Sequence, residues 1–363
     1  MPPEGDDSKA DRLLCWYDAH HRELPWRVSP RDHARGATPD PYRIWLSEVM
    51  LQQTTVEAVK AYYRAFLEKW PTVRALAAAP QDDVMKAWAG LGYYSRARNL
   101  KKCADYVANE LGGAFPSDEA GLLKLPGVGP YTAAAIAAIA FNRKAAVVDG
   151  NVERVVTRLH AIATPLPLAK PLIKAQVSDM TPNDRPGDFA QAMMDLGATI
   201  CTPKRPSCMI CPLNGDCAAL AEGDPALYPV KAAKQAKPLR RGAAFIAHSK
   251  DGAILLARRP DTGLLGGMVG PPTTDWTSLQ DGATTPDAAP FPANWRHKGV
   301  VTHVFTHFEL RLEIYVAEIA NRPAPHGMFW SSAQDLPGEA LPTLMKKAIE
   351  QALPGATKPR LAH

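Results

Sequence analysis

The chain has 363 residues, of which 46% are hydrophobic and 22% charged, a composition typical of folded domains that excludes a mainly disordered protein. Its formal net charge is +5, and residues 229–241 carry five Lys or Arg side chains and no acid. The longest apolar run, residues 133–141, is far shorter than the ~20 residues of a membrane span. Residues 1–11 are polar and lack a secretory signal. We therefore expect a cytoplasmic protein with no membrane partner.

Residues 8–222 predict one helix after another, so the first domain should be mainly α-helical. Residues 1–10 are expected to be disordered. Asp40 followed by Pro41 predicts a capped helix start, and the polar residues 28–40 before it predict a long loop. Apolar periodicity and turn residues predict the remaining helices, which are residues 55–70, 81–89, 93–111, a short turn at 118–124, and 130–142, 151–161, 170–180 and 188–199.

Four of the six cysteines lie within seventeen residues, at Cys201, Cys208, Cys211 and Cys217. In a cytosolic chain, clustered cysteines are more often metal ligands than disulfides. The single C-x-x-C pair, flanked by wider loops, favours a four-thiolate [4Fe–4S] cluster, with zinc as the alternative. The isolated Cys15 and Cys103 are interpreted as small core residues.

The C-terminal part predicts an α+β domain over residues 242–353, followed by a disordered tail at 354–363. Residues 242–247 and 253–258 predict two strands around a turn at Asp251-Gly252, and the alternating residues 308–316 predict a half-buried strand. Residues 271–294 predict a loose loop, and 341–353 a helix. The basic residues of the linker 229–241 favour either contact with a polyanion or a solvated connector. These residues are Lys231, Lys234, Lys237, Arg240 and Arg241.

A glycine-rich turn, Leu125-Pro126-Gly127-Val128-Gly129, leads into the helix that begins at Pro130. Backbone N–H groups at such a turn, with the helix dipole behind them, bind phosphate without side-chain charge. This helix-hairpin-helix pattern favours a contact to a DNA backbone through Gly127 and Gly129. An ordinary helix corner is the alternative.

Two carboxylates are candidates for acid–base chemistry. Asp149 precedes a helix and should cap it, so we expect its pKa to be depressed. Glu48 shares a helix face with Ile44 and Leu51, so it should be partly exposed or else buried with a raised pKa. Two carboxyl groups with opposite shifts are the pair that glycosidic bond cleavage uses.

Five motifs in this order resemble the MutY-type adenine DNA glycosylases of the endonuclease III superfamily: residues 47–54, 90–94, 125–133, 148–152 and the four cysteines. The resemblance implies a mainly α-helical helix-hairpin-helix glycosylase domain at 11–228, with a [4Fe–4S] cluster loop at 201–217. It also implies a monomeric, nucleoid-associated enzyme of base excision repair. Its substrate would be adenine mispaired with 8-oxoguanine or guanine in double-stranded DNA.

The resemblance also implies the roles of the catalytic residues. Glu48 takes the place of the general acid that protonates adenine and of the base that later activates water. Asp149 takes the place of the carboxylate that stabilises the cationic sugar or bonds to it. Asn151 would help to hold the attacking water. Tyr131 stands where the endonuclease III branch has the lysine that forms an imine, which a phenol cannot do. A monofunctional glycosylase is therefore expected.

Further positions match family residues that contact DNA or the adenine base. Gln53 and Tyr93 match residues that wedge into the duplex and fill the gap that the flipped base leaves. Lys204 and Arg205, in the first cysteine loop, are expected to touch phosphate. The residues that match the lining of the adenine pocket are Trp26, Arg27, Leu51 and Gln191.

The C-terminal domain resembles the Nudix-like domain of the same family. No metal-binding REx2EExG box occurs between residues 242 and 363, so the domain should bind and not hydrolyse. Phe305, Thr306 and His307 match the family's Phe-Ser-His loop that reads 8-oxoguanine, with Thr in place of Ser. Two other functions stay open: an endonuclease III-like glycosylase/lyase, and a catalytically silent Fe–S DNA-binding protein.

Overall fold

The computed structural model describes four stretches of the chain, residues 8–232, 236–260, 263–320 and 323–358. These residues form two compact units. Unit 1 draws on residues 1–78 and 99–234, and unit 2 on residues 79–98 and 235–363. Unit 2 thus combines a stretch from the first half of the chain with the C-terminal part. Within the described stretches, no helix has the length and apolar character that a membrane crossing requires.

Helices dominate the first part of the chain, and every helix predicted there forms, with ends that differ by at most two residues. Their bounds are α1 (Lys9–His20), α2 (Pro30–Ala34), α3 (Pro41–Leu51), α4 (Val56–Lys69), α5 (Val73–Ala78), α6 (Gln81–Trp88), α7 (Ser95–Asn109), α8 (Glu119–Leu122), α9 (Pro130–Phe141), α10 (Gly150–Leu159), α11 (Lys170–Met180), α12 (Pro186–Thr199) and α13 (Ala218–Ala221).

Two expectations about the first forty residues are wrong. Disorder was expected through residue 10, but Ser8 caps α1 by accepting a hydrogen bond from the N–H of Asp11, and Lys9 begins the helix. Residues 1–7 lie outside the described stretches. The predicted loop at 28–40 contains the short helix α2, because the hydroxyl of Ser29 caps it and Pro30 occupies its first position.

The core of unit 1 is built around α9. Its residues from Thr132 to Ile139 are all buried, and α9 packs against α3, α8 and α12. Five alanines in this stretch give it a thin profile, so neighbouring helices can approach closely. Cys103 is buried as expected, but Cys15 is exposed, so its interpretation as a core residue is wrong.

Unit 2 is organised around one six-stranded sheet whose order is β3-β2-β1-β5-β4, with β6 paired to β2. β1 and β5 run parallel from the pair Leu239/Glu309 to the pair His248/Glu318, and α14 packs on β4 and β5. The bounds are β1 (Leu239–His248), β2 (Ile254–Arg258), β3 (Val269–Gly270), β4 (Arg296–Val304), β5 (Glu309–Glu318), β6 (Met328–Ser331) and α14 (Thr343–Ala352).

The C-terminal part also requires corrections. β4 was not predicted, and it pairs antiparallel with β5. The expected loose loop at 271–294 has no strand, but it is anchored by Trp276, which is 2% exposed. The tail was expected to be disordered from residue 354. Instead the backbone N–H groups of Gly355 and Thr357 donate to Glu350. Residues 359–363 lie outside the described stretches.

The basic segment 229–241 is not a separate linker throughout its length. β1 begins at Leu239, so Arg240 and Arg241 lie in a strand. At its other end, the carbonyl of Val230 accepts a hydrogen bond from Leu166 within unit 1. Lys234 lies outside the described residues. Since both ends belong to folded units, the connecting stretch is shorter than the sequence indicated.

Candidate active site

Glu48 lies in α3 and lines a cavity of about 380 Å³ within unit 1. Its side chain is buried, and the hydroxyl of Tyr131 donates a 2.7 Å hydrogen bond to its Oε2. Burial raises the pKa of Glu48 to about 7, against the opposing effects of the Tyr131 hydrogen bond and the Arg27 charge. Of the two possibilities that the sequence left, the structure has the buried carboxyl with the raised pKa.

Asp149 lines the same cavity and caps α10. Its Oδ1 accepts from the backbone N–H groups of Asn151 and Val152, and its Oδ2 accepts from the side-chain amide of Asn151. The expected depression of its pKa is wrong: burial raises the pKa of Asp149 despite these three hydrogen bonds. The helix end therefore stabilises the anion less than the loss of water destabilises it.

Tyr131 and Asn151 connect the two carboxyl groups to their surroundings. Tyr131 is the second residue of α9, and burial, followed by the nearby Glu48, raises its pKa, so the phenol stays protonated and donates. Asn151 donates to Asp149 and accepts at Oδ1 a 2.9 Å hydrogen bond from Arg154. The amide therefore orients Asp149, whereas the sequence suggested only a contact to water.

The four residues that the sequence assigned to the adenine pocket all line this cavity, as does Gln53. Trp26 and Gln191 are buried, and Arg27 forms a two-pronged ion pair with the buried Asp195. Sequence reasoning missed other lining residues, among them Arg22, Ser47, Gln52, Thr54 and Met194. It also missed Asp195, the ion-pair partner of Arg27. Asp195 was detectable as an acid between the apolar residues Met194 and Leu196 of α12.

The cavity combines a carboxyl group that is protonated near neutrality with a second, poorly solvated carboxylate. The first can donate a proton to a bound base, and the second can stabilise positive charge that develops on a sugar. The described lining of the cavity contains no lysine. The described lining residues therefore offer groups for acid-assisted cleavage but no lysine for imine formation.

The glycine-rich turn leads directly into α9, as its sequence predicted. Gly127 has a φ of +74°, and a Cβ atom there would lie 2.5 Å from the Cβ of Asn99. Gly129 caps α9 with an extended backbone and has no neighbour that a Cβ would meet within 4 Å. Only Gly127 is therefore required to be glycine for conformational reasons.

The four clustered cysteines, Cys201, Cys208, Cys211 and Cys217, line one small cavity in unit 1. The buried Arg158 faces the same cavity and donates to the sulfur of Cys201 at 3.3 Å. No three His, Cys, Asp or Glu side chains in the described stretches are arranged to hold a single metal ion. Four thiolates around a shared space provide the ligand set of a [4Fe–4S] cluster.

Arginines fix the loop that begins at Cys201. Arg158 donates to the carbonyls of Thr202 and Pro203 at 2.8 Å. Arg154 donates to the carbonyls of Gly197 and Cys201. The cysteine segment is thereby attached to α10, the helix that Asp149 caps. The predicted phosphate contacts, Lys204 and Arg205, lie in this loop and are exposed.

A second cavity, of about 630 Å³, lies within unit 2. It is lined by Tyr93 and by the predicted loop residues Phe305, Thr306 and His307, which form the turn between β4 and β5. Tyr93 is 50% exposed, and its backbone φ is +48°. Further lining residues that sequence reasoning missed are Arg98, Ser278 and His303.

Two contacts hold the β4–β5 turn in shape. The ring of Phe305 stacks on that of Phe308 with centroids 4.6 Å apart, and the Nζ of Lys237 donates to the carbonyl of Phe305 at 2.7 Å. One cation of the basic segment therefore supports this turn. The sequence had favoured the basic segment only as a contact to a polyanion or as a solvated connector.

Family models match three parts of the chain. Residues 46–174 match the HhH-GPD superfamily of base excision DNA repair proteins. Residues 201–217 match the iron–sulfur binding domain of endonuclease III, and residues 243–351 match the NUDIX domain. The second match bears out the iron–sulfur cofactor, and the third bears out the Nudix-like C-terminal domain.

The chain is similar to known adenine DNA glycosylases. It is 38% identical over 400 residues to the one from Homo sapiens, an alignment that covers 93% of this chain and 72% of the relative. It is 43% identical to that of Mycolicibacterium smegmatis over 202 residues, with 56% of this chain and 66% of the relative covered. A solved thermostable thymine-DNA glycosylase matches with a TM-score of 0.52 and 31% identity, covering 59% of this chain and 95% of that one.

Proposed function

Because this chain belongs to the adenine DNA glycosylase family, we propose that it removes adenine mispaired with 8-oxoguanine or guanine from double-stranded DNA. The reaction is hydrolysis of the N-glycosidic bond, as a step of base excision repair. The observation that carries this proposal is the placement of Glu48, Tyr131 and Asp149 in one cavity within unit 1. The size of that cavity, about 380 Å³, suits a flipped-out base.

The first step is protonation of the base. Tyr131 donates to Oε2 of Glu48, so the carboxyl proton is carried by Oε1, which is free to donate to a ring nitrogen of adenine. The C1′–N9 bond then breaks, and its electron pair stays with the protonated adenine. A base that leaves in neutral form is a far better leaving group than its anion, so this proton transfer lowers the barrier.

The second step is capture of the sugar. Bond cleavage leaves positive charge on C1′ and the ring oxygen, which the carboxylate of Asp149 stabilises. Burial leaves the charge of Asp149 poorly solvated, which raises its pKa. A poorly solvated charge interacts strongly with a nearby cation. The deprotonated Glu48 then accepts a proton from water as the water oxygen bonds to C1′. Asn151 keeps Asp149 oriented throughout.

The remaining predicted residues act on the DNA around the flipped base. The N–H groups at Gly127 and Gly129, together with Lys204 and Arg205, hold phosphates without reading sequence. Gln53, which lines the cavity, wedges into the duplex beside the flipped base. The residues that enclose the adenine are Trp26, Arg27, Leu51 and Gln191.

Unit 2 supplies recognition of the opposing base. Its cavity brings Tyr93 together with Thr306 and His307, so an aromatic surface for stacking lies beside a hydroxyl and an imidazole for base-edge contacts. The four cysteines would hold the [4Fe–4S] cluster, which orders the loop carrying Lys204 and Arg205. The enzyme acts as a monomer in the cytoplasm, at the nucleoid.

Single-turnover reactions on short duplexes test the proposed function. Wild-type protein should release adenine opposite 8-oxoguanine and guanine, but not opposite thymine. Strand cleavage should require alkali, and borohydride should trap no covalent complex, because the cavity lining holds no lysine. Trapping, or release of an oxidised pyrimidine, would instead indicate an endonuclease III-like lyase. Binding without any base release would indicate a silent DNA-binding protein.

A further inference from the structure

Asp195 is a fully buried acid on α12 that has no place in the reaction described above. Both of its oxygens are engaged by arginines. Arg27 donates from its two terminal nitrogens at 2.6 and 2.8 Å. Arg22 donates from Nε at 2.6 Å and from its backbone N–H at 2.9 Å. Four short hydrogen bonds to one carboxylate fix both arginines in position.

The two arginines that Asp195 holds belong to the lining of the base cavity, whereas Asp195 itself does not. The side chain of Arg27 is 6% exposed, so its charge has little water around it. A buried arginine needs a partner to be stable. Asp195 is the partner that the geometry provides, and it reaches the cavity only through the arginines.

We propose that Asp195 is a positioning residue for adenine excision: its carboxylate holds the Arg27 guanidinium at the cavity wall and neutralises the charge that this guanidinium presents to Glu48. This inference rests on the proposed function. The charged and titratable groups that act on the Glu48 pKa are Tyr131 from α9, Asp149 at the start of α10, and Arg27. Arg22 is the other charged group in the described lining of the cavity.

The electrostatic consequence has a definite sign. Burial acts to raise the pKa of Asp195, but the hydrogen bonds and charges of Arg27 and Arg22 lower it overall, so Asp195 is an anion at neutral pH. Tyr17, the other titratable group that interacts with this pair, is neutral because burial raises its pKa. Removing the Asp195 charge therefore leaves Arg27 uncompensated, and a positive charge near Glu48 lowers its proton affinity.

The test is a pH titration of Glu48 in the Asp195→Asn variant. Carbon-13 NMR of labelled glutamate monitors the titration, and the signal that is missing in Glu48→Gln identifies Glu48. We expect the Glu48 pKa to fall by about one unit. In a plot of the single-turnover excision rate against pH, the midpoint of the fall at high pH should move to lower pH by the same amount. At about pH 7.5 that shift lowers the rate roughly eightfold, because less Glu48 carries its proton.

Asp188→Asn is the matched control. Asp188 is also a buried acid on α12 and pairs with Arg185 at 2.9 Å, but neither residue lines the base cavity. This variant should lose comparable stability. It should leave the Glu48 pKa and the pH dependence of the excision rate unchanged. Equal behaviour of the two variants in both readouts would overturn the proposal.

A second comparison covers the case in which Asp195→Asn does not fold. Once Arg27 is replaced, Asp195 still pairs with Arg22, but the guanidinium whose charge lowers the Glu48 pKa is gone. The excision rates of Arg27→Met and of the double variant Arg27→Met/Asp195→Asn should therefore fall at the same pH. A further shift of that midpoint in the double variant would contradict the proposal. If the wild-type protein releases no adenine, the proposed function fails, while the NMR titration still decides the role of Asp195.

Discussion

The hydrogen bond from Tyr131 determines how Glu48 can act. It occupies one carboxyl oxygen and leaves the other to carry the proton. Burial raises the pKa of Glu48 to about 7, so the acid form is available at neutral pH. The same burial has a cost, since a carboxyl group whose pKa is raised on folding destabilises the folded state wherever the unfolded chain would ionise it.

This cost predicts the stability of Glu48→Gln. The destabilisation begins as pH rises above the unfolded pKa of about 4.5 and is nearly complete above the folded value of about 7. The Gln variant should therefore gain less than ~1 kcal/mol at pH 5 and about 3 kcal/mol at pH 8 relative to wild type. Urea unfolding at both pH values measures this difference. An unchanged difference between the two pH values would mean that Glu48 is solvated.

Asp149→Asn should separate chemistry from capping. Asparagine is as good an N-cap as aspartate, so the helix cap should be kept. Because burial raises the pKa of Asp149, its ionised form destabilises the folded state, and the melting temperature of the Asn variant at neutral pH should be equal to that of wild type or higher. The excision rate should fall by at least about 10²-fold, because the charge facing the sugar is lost. Asp118→Asn is the control, since Asp118 caps α8 through a 2.8 Å hydrogen bond from the N–H of Gly121. Equal rates in the two variants would remove Asp149 from the mechanism.

At the residue scale, the sequence predicted which side chains meet but not how they titrate. The family resemblance implied that Glu48, Tyr131 and Asp149 share one site, and the structure brings them into one cavity. The direction of the Asp149 shift was wrong, because capping is visible in the sequence whereas the depth of burial depends on packing. Asp195 was missed for the same reason: its partners are about 170 residues away.

At the scale of elements, the hairpin before α9 depends on one glycine. Gly127→Ala places a methyl group against Asn99 and forces a positive φ on alanine. It should cost about 1–3 kcal/mol and weaken duplex binding. Gly129→Ala meets no neighbour and has an extended backbone, so it should fold and bind like wild type. Melting curves and duplex titrations compare them, and indistinguishable variants would refute this account of the turn.

Two of the elements that the sequence missed, β4 and α2, have weak local signals. β4 is an edge strand of the sheet, most of its residues are partly or fully exposed, and a register shift interrupts it between His297 and Val300. It therefore lacks the alternation that identified β5. Helix α2 is only five residues long. By contrast, α9 and α12 are apolar and long, and both were predicted.

At the scale of the whole molecule, catalysis and recognition of the opposing base are assigned to different units. The double variant Thr306→Ala/His307→Ala removes a hydroxyl and an imidazole from the unit 2 cavity. It should lower the ratio of excision rates opposite 8-oxoguanine and guanine about 5- to 100-fold, as expected for base-edge contacts worth ~1–3 kcal/mol. Its salt dependence should stay that of wild type.

Lys250→Ala, which alters an exposed cation elsewhere in unit 2, is the control for general effects on this unit. It should leave the ratio of excision rates unchanged. A double variant with the wild-type ratio would show that the β4–β5 turn does not read the opposing base.

The central claim is that Glu48 delivers the proton that releases adenine. The most direct measurement is the single-turnover rate of adenine release from an 8-oxoguanine:adenine duplex, at saturating enzyme, as a function of pH. The rate should be highest while Glu48 is protonated and should fall as pH rises through about 7. Glu48→Gln should bind the duplex within a few-fold of wild type and release no adenine at any pH. Adenine release by Glu48→Gln at the wild-type rate would contradict the account.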